Sequence, residues 1–187
     1  KSLWGKLYGQ WLCEGAVFVY DFDKFDENDL LPMFARYNIT TFCAPPTMLR
    51  MLIRGDLSKY DLSSIHHMTT AGEALNPEVY NKFKEATGLE IMEGFGQTET
   101  TLAIANLYGT TPKIGAMGKA NPQYDVDIVD PDGNPVADGE TGELAFTTLT
   151  KEGIPLIRYR TKDLTSIDHS TCECGRTSAR ISRFKGR

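Results

Sequence analysis

The sequence predicts an α/β fold: a parallel sheet flanked by helices, followed by an antiparallel β-rich, barrel-like subdomain. Three observations carry this. Up to about residue 93, short apolar runs alternate with amphipathic stretches, the pattern of strand–helix–strand units. From about residue 124, strand signals follow one another with turns and no helix between them. A stretch rich in glycine and proline, "TTPKIGAMGKANPQ" (110–123), lies between the two patterns. The predicted domains are therefore 1–123 and 124–187.

Taken in order, "VFVYDF" (17–22) predicts a strand. "DENDLLPMFARY" (26–37) predicts a helix with Leu30, Phe34 and Tyr37 on one face and Pro32 delaying or bending its start. "ITTFCA" (39–44) is the next strand. "PTMLRMLIRG" (46–55) is a helix opened by proline and closed by glycine, and "IHHMTT" (65–70) is a strand. "NPEVYNKFKEATG" (76–88) carries the clearest helix signals: Asn76 as N-cap, Pro77 in the first turn, Gly88 as stop, and Val79, Phe83 and Ala86 on one face. "LEIME" (89–93) is the strand that follows. In the second part "YDVDIVDPDGNPV" is a strand running into a Pro-Asp-Gly-Asn turn, and "GELAFTTLT" and "IPLIRYRT" are further strands.

Composition excludes several classes. With 187 residues and 41% hydrophobic content the chain can bury a core. A net charge of -5 argues against a general nucleic-acid binder, and the basic tail (Arg176, Arg180, Arg183, Lys185, Arg187) reads as a solvated edge or a phosphate-facing hinge. No apolar run approaches the roughly 20 residues of a membrane span. The first residues have no secretory-signal pattern. Four unevenly spaced cysteines make no disulfide framework; Cys13 and Cys43 read as core thiols, which suits a reducing cytoplasm. His66 and His67 fall on opposite faces of their predicted strand and cannot both point at one metal.

Chemistry concentrates in two turns that follow predicted strands, "TTAGEAL" (69–75) and "EGFGQTE" (93–99). Open parallel sheets bind ligands beyond the carboxyl ends of their strands. Gly72 lets backbone approach a flat ring, and Phe95 offers a second face. Thr98 can donate to a phosphate oxygen, and Glu99 can hold the Mg²⁺ that accompanies a polyphosphate. A purine nucleotide uses all of these groups. Spacing alone leaves open the reading of two ordinary loops with polar tips.

"TTAGEALNPEV", "EGFGQTET", "NITTFCAPPTMLRMLI" and "LYGQWLCEGAVFVYDFDKF" closely resemble AMP-forming acyl-CoA synthetases of the acetyl-CoA synthetase-like and medium-chain type, a likeness running from residue 1 to about 143. Those enzymes join a carboxylic acid to ATP as an acyl-adenylate and pass the acyl group to coenzyme A. The resemblance implies that Gly72, Glu73 and Ala74 line one side of the adenine and Phe95 stacks on the other. Glu93 and Gly94 would meet the purine edge through backbone, and Gln97 would belong to the same nucleotide site. Thr98 and Glu99 would be the catalytic pair, on the α-phosphate and Mg²⁺. Trp4 and Gly96 would belong to the acyl pocket. Gly96 stands where short-chain members carry a tryptophan, which implies an acid longer than acetate.

"GELAFTTLTKEGIPLIRYRTKDLT" resembles a later motif of the same superfamily, in which Asp163 would accept the ribose hydroxyls, and the terminal "FKGR" resembles its hinge approach, where Arg187 would also reach the ribose. From about residue 145 the wording resembles phenylacetate-CoA ligases instead, as though two branches met in one chain. In that branch Cys172 and Cys174 would supply half of a zinc site. Two parts of the family pattern are not in these residues: a Ser/Thr/Gly-rich phosphate loop and a C-terminal domain with a catalytic lysine. The expectation is a piece of a cytoplasmic acyl- or aryl-CoA ligase that works with ATP, Mg²⁺ and coenzyme A. A non-catalytic nucleotide- or partner-binding module of the same fold is the alternative.

Removing a single oxyanion-type donor costs about 10²–10³ in rate, and here a whole loop and a lysine are at stake. Residues 1–187 alone are expected to give no acid-dependent pyrophosphate exchange. Measurable exchange from the purified chain would count against the expectation.

Overall fold

The computed structural model describes residues 7–186, which form two compact units. The first takes the chain up to Thr101 together with Ala105–Gly118; the second takes Leu102–Ile104 and the chain from Lys119 onward.

The first unit opens with a single helical turn, α1 (Gly9–Leu12). Residues 17–22 do not form the predicted strand. They have the β-branched and aromatic composition of one but no ladder within the described residues, and Val19 is 79% exposed. Ring contacts take the place of a ladder, Phe18 on Tyr37 at 4.9 Å and Tyr20 on Phe22 at 5.7 Å.

Helix α2 (Glu27–Arg36) starts directly after Asp26, whose carboxylate accepts the Asn28 amide at 2.8 Å. Pro32 therefore lies inside the helix and does not delay its start. Leu31 and Phe34 are buried, while Tyr37 closes the helix and is exposed. Strand β1 (Thr41–Cys43) is shorter than predicted, and α3 (Pro46–Leu52) stops before Gly55. Cys43 is half-buried and Cys13 is exposed, so neither is the core thiol expected. A 3-10 turn (Leu57–Lys59) leads to β2 (His67–Ala71).

Helix α4 (Pro77–Thr87) agrees with its sequence signals at both ends, and Val79 and Phe83 are buried as expected, with Tyr80 buried beside them while Ala86 is exposed. Asn76 caps the Glu78 amide, and Gly88 takes the left-handed conformation at φ 71°. Strand β3 (Ile91–Phe95) then runs two residues beyond the predicted end, which puts Phe95 on the strand.

β1, β2 and β3 are parallel neighbours, with Phe42 beside Met68 and Met68 beside Ile91. The helices α3 and α4 make the two crossovers, and α3 packs against α2 and α4. Phe34, Leu49, Leu52, Met68, Val79, Phe83 and Ile91 form the centre of the core, each almost wholly buried.

A two-residue strand, β4 (Ile104–Ala105), follows. Gly118 sits so close to Ala105 that a Cβ would run into that residue's carbonyl.

The second unit holds β5 (Lys119–Ala120), β6 (Tyr124–Val129), β7 (Gly142–Thr148), β8 (Tyr159–Thr165), β9 (Ile167–Asp168) and β10 (Arg180–Ile181). β6, β7 and β8 form an antiparallel sheet in chain order, and β9 pairs with β10. Ile128, Val129, Leu144 and Phe146 are buried, with Tyr124 edge-on to Phe146 at 5.9 Å. The predicted strand over 154–161 is displaced toward the C-terminus: Ile154 and Arg158 have left-handed backbone, so the ladder begins only at Tyr159.

Gly142 pairs with Thr165 where β7 passes close to the end of β6. A Cβ there would lie 2.5 Å from the Val129 oxygen and 2.9 Å from Ile128 Cγ2. Since an overpacked core residue costs about 1–3 kcal/mol, Gly142→Ala should lower stability by that amount in urea denaturation. An unchanged midpoint would contradict this close approach.

Candidate functional site

Because β2 and β3 are parallel and in register, with Thr70 beside Glu93 and Ala71 beside Gly94, the loops that follow them leave the sheet side by side. These are the two glycine-bearing turns singled out in the sequence. Gly72 has φ 114°, a conformation closed to residues with a Cβ. Gly72, Glu73 and Ala74 are exposed, and Leu75 is buried.

The first loop is tied at both ends. The Glu73 carboxylate accepts Thr47 Oγ1 at 2.7 Å and Arg50 Nη2 at 3.1 Å, both from α3. Two residues on, the Leu75 amide donates to Glu93 Oε1 on β3 at 3.1 Å.

Glu93 is only 5% exposed and therefore unusual, because a carboxyl that deep is rarely left without a cation. Burial pushes its pKa above the ordinary glutamate value, and the Leu75 amide pulls in the opposite direction. Its backbone is engaged as well: the Glu93 carbonyl accepts the Asn106 amide at 3.0 Å and Asn106 Nδ2 at 3.2 Å. The same Nδ2 donates to the Ala116 carbonyl at 2.8 Å. The carbonyl of Glu93 is thus already doubly bonded within the protein, and what this residue contributes in the structure is to hold the two loops in place.

The second loop is pinned from inside. Buried Thr100 accepts the Gln97 amide on Oγ1 at 2.9 Å, and Thr101 turns the chain with φ 58°. At the end of the strand Gly94 is buried and Phe95 half-buried, and between it and that pin Gly96 is buried, Gln97 half-buried, and Thr98 and Glu99 exposed. The structure therefore brings Gly72, Glu73, Ala74, Gly96, Gln97, Thr98 and Glu99 onto two adjacent loops of one unit, with Glu93, Gly94 and Phe95 at the end of the strand that leads into the second. Asp163 stands on β8 of the second unit, half-buried. Trp4 and Arg187 lie outside the described residues.

Leu75, Thr100 and Asn106 hold this site and were not singled out in the sequence. No spacing rule marks them, since each acts through hydrogen bonds set by the tertiary fold.

The chemistry of Glu99 fits Mg²⁺, which takes oxygen ligands, keeps several waters and commonly needs one or two carboxylates beside phosphate oxygens. Zinc fits poorly. Cys172 and Cys174 bring their sulfurs to 3.2 Å, but the nearest sequence candidate for a further ligand, His169, has Nδ1 engaged by Asp138 at 2.6 Å. Among the described residues no group of three or more His, Cys, Asp or Glu is placed to hold a metal. His67 packs its ring on Tyr108 at 5.6 Å.

The family model described as "AMP-binding enzyme" matches residues 4–149. The chain is 44% identical over 146 residues to the mitochondrial acyl-coenzyme A synthetase ACSM4 of Homo sapiens, covering 78% of this chain and 25% of that protein. It is 39% identical over 159 residues to the mitochondrial acyl-coenzyme A synthetase ACSM3 of Homo sapiens, covering 85% of this chain and 27% of that protein. The chain thus spans about a quarter of the length of the curated relatives it matches.

Among solved structures it is similar to the anthranilate CoA ligase AuaEII in complex with anthranoyl-AMP, with TM-score 0.80 and 25% identity over 100% of this chain and 37% of that one. An acyl-CoA synthetase of Brucella canis gives TM-score 0.74 and 26% identity over 100% and 36%. These matches run through residues 150–187, which lie past the end of the family-model match.

The buried Glu93 makes stability depend on pH. The folded chain holds this proton more tightly than the unfolded chain, so stability is greatest below the ordinary glutamate value and falls as pH rises through the raised one. Glu93→Gln keeps an acceptor for Leu75 and should flatten that decline. Glu93→Ala leaves the Leu75 amide without its acceptor and should cost about 1–3 kcal/mol. Urea denaturation at several pH values measures both, and equal pH slopes for wild type and Glu93→Gln would refute the assignment.

Proposed function

The chain belongs to the AMP-binding enzyme family, and from that premise we propose that it forms part of an AMP-forming ligase that activates a carboxylic acid for transfer to coenzyme A. In the first half-reaction the acid's carboxylate oxygen bonds to the α-phosphorus of ATP. The bond to the β-phosphate breaks, and pyrophosphate leaves. In the second, the thiol of coenzyme A takes the acyl group and AMP is released.

One observation carries this reading: two glycine-bearing loops held side by side at the carboxyl ends of neighbouring parallel strands, tied together through buried Glu93. A flat ring needs two close walls. Gly72 and its neighbours make one from backbone, and Phe95 makes the other. The Glu73 side chain is committed to α3, so this wall contacts the adenine through main chain. Gly94 and Gln97 complete the nucleotide side. Thr98 donates to an α-phosphate oxygen as charge builds there. Glu99 would hold Mg²⁺, which neutralises polyphosphate charge when bound. Asp163 is assigned the vicinal ribose hydroxyls, a pair that one carboxylate can accept together. Gly96 is a buried position without a side chain, which supports an acid larger than acetate.

The tests use the intact enzyme that carries this chain. If Phe95 is a stacking wall, Phe95→Ala should weaken AMP binding by about 1–3 kcal/mol in calorimetry, and an unchanged affinity would remove the assignment. Glu99→Gln preserves shape and removes charge. It should strongly slow adenylation at fixed Mg²⁺ while AMP affinity changes little, because AMP lacks the polyphosphate that the ion accompanies. Equal losses in both assays would make Glu99 a structural residue.

A further inference from the structure

β7 and β8 do not pair evenly. Glu143 lies opposite Leu164 and Ala145 opposite Arg160, so Leu144 alone faces Thr161, Lys162 and Asp163. The extra residues make a bulge, a device that locally re-aims side chains. At its centre Lys162 adopts φ 65°, left-handed backbone that a lysine takes only where its surroundings impose it.

Two side chains impose it. The Glu143 carboxylate accepts the Lys162 amide on Oε1 at 2.7 Å, a donor that a regular strand would spend on the ladder. Thr161 Oγ1 donates to the Leu144 carbonyl at 2.9 Å and accepts the Asp163 amide at 3.1 Å. Arg160 holds the other side of the same carboxylate, with Nε at 2.8 Å from Oε2 and Nη2 on that oxygen too, while its Nη1 donates to the Pro131 carbonyl at 2.8 Å. Glu143 is therefore fixed from two directions, with its side chain only 12% exposed. Immediately after Asp163 the backbone is tied to the chain's last described residues: Leu164 donates to Gly186 and accepts from Lys185, both at 2.9 Å.

We propose that Glu143 is a positioning residue for Asp163: by holding Lys162 in the left-handed conformation it sets the bulge that presents the Asp163 carboxylate to the nucleotide. The proposal rests on the ribose assignment of Asp163 made above. Glu143 acts through the backbone and need not touch the ligand.

Steady-state pyrophosphate exchange with ATP on the intact enzyme tests it. Glu143→Ala should raise KM for ATP roughly tenfold, the worth of a charge-assisted hydrogen bond, with a smaller change in kcat. Glu143→Gln still accepts the Lys162 amide and should retain most of the wild-type KM. Adding Lys162→Gly to Glu143→Ala should restore KM, because glycine adopts the left-handed backbone without help. Lys162→Gly by itself should leave KM unchanged. Should Glu143→Ala fail to fold, Lys162→Val provides the same test at an exposed position, since a β-branched residue opposes φ above zero.

Loss of thermal stability with an unchanged KM in Glu143→Ala or Lys162→Val would overturn the proposal, as would a glycine that rescues nothing. Asp163→Ala keeps the two readings apart. A raised KM there beside a normal KM in Glu143→Ala rejects the positioning role alone. A normal KM in Asp163→Ala rejects the ribose assignment and the positioning role with it.

Discussion

A single buried hydrogen bond, from the Leu75 amide to the Glu93 carboxyl, organises the first unit at its functional end. It joins the loop after β2 to the strand before the next loop, and it does so where water cannot compete. Around it the remaining ties fall into place. Asn106 takes up the Glu93 carbonyl, Glu73 reaches to α3, and Thr100 closes the second loop on itself. The polar groups exposed on these loops therefore stand on rigid backbone, the arrangement that a binding site needs. The price is a carboxyl group kept out of solvent and held there by a backbone amide.

Elements whose signals are local were readable in the sequence. Helix α4 carries its own cap, its proline and its glycine stop, and it appears between the residues those signals mark. The two loops were readable for a related reason: glycine, aromatic ring, hydroxyl and acid were grouped in one short run after a strand. The segment at 17–22 has strand-like residues, yet a strand also needs a partner, and composition says nothing about where a partner stands. The helix over 26–37 was found despite Pro32, since an N-cap and a buried face outweigh one missing hydrogen bond.

Glu93 marks the limit of reading a site from residue types. Its place in the motif pointed to the nucleotide, but the structure commits its side chain and its carbonyl to neighbouring protein. The bulge in β8 was hidden for a different reason. Left-handed backbone is usually announced by glycine, and here the residue is lysine, held in place by a carboxylate on the adjacent strand. Asn106 likewise sits in an unremarkable stretch and becomes important only when Glu93 and Ala116 are brought to it.

The grip of Asn106 also exposes the protein to chemical ageing. Its side-chain nitrogen donates to two carbonyl oxygens at once, those of Glu93 and Ala116. Hydrolysis of that amide, the slow deamidation open to any asparagine, would exchange the donor for a carboxylate oxygen facing two other acceptors. The change is one atom, and it turns attraction into repulsion beside the most deeply placed carboxyl of the unit. A long-stored sample would thus lose the order of these loops before it lost its core, which is built from residues with no such chemistry.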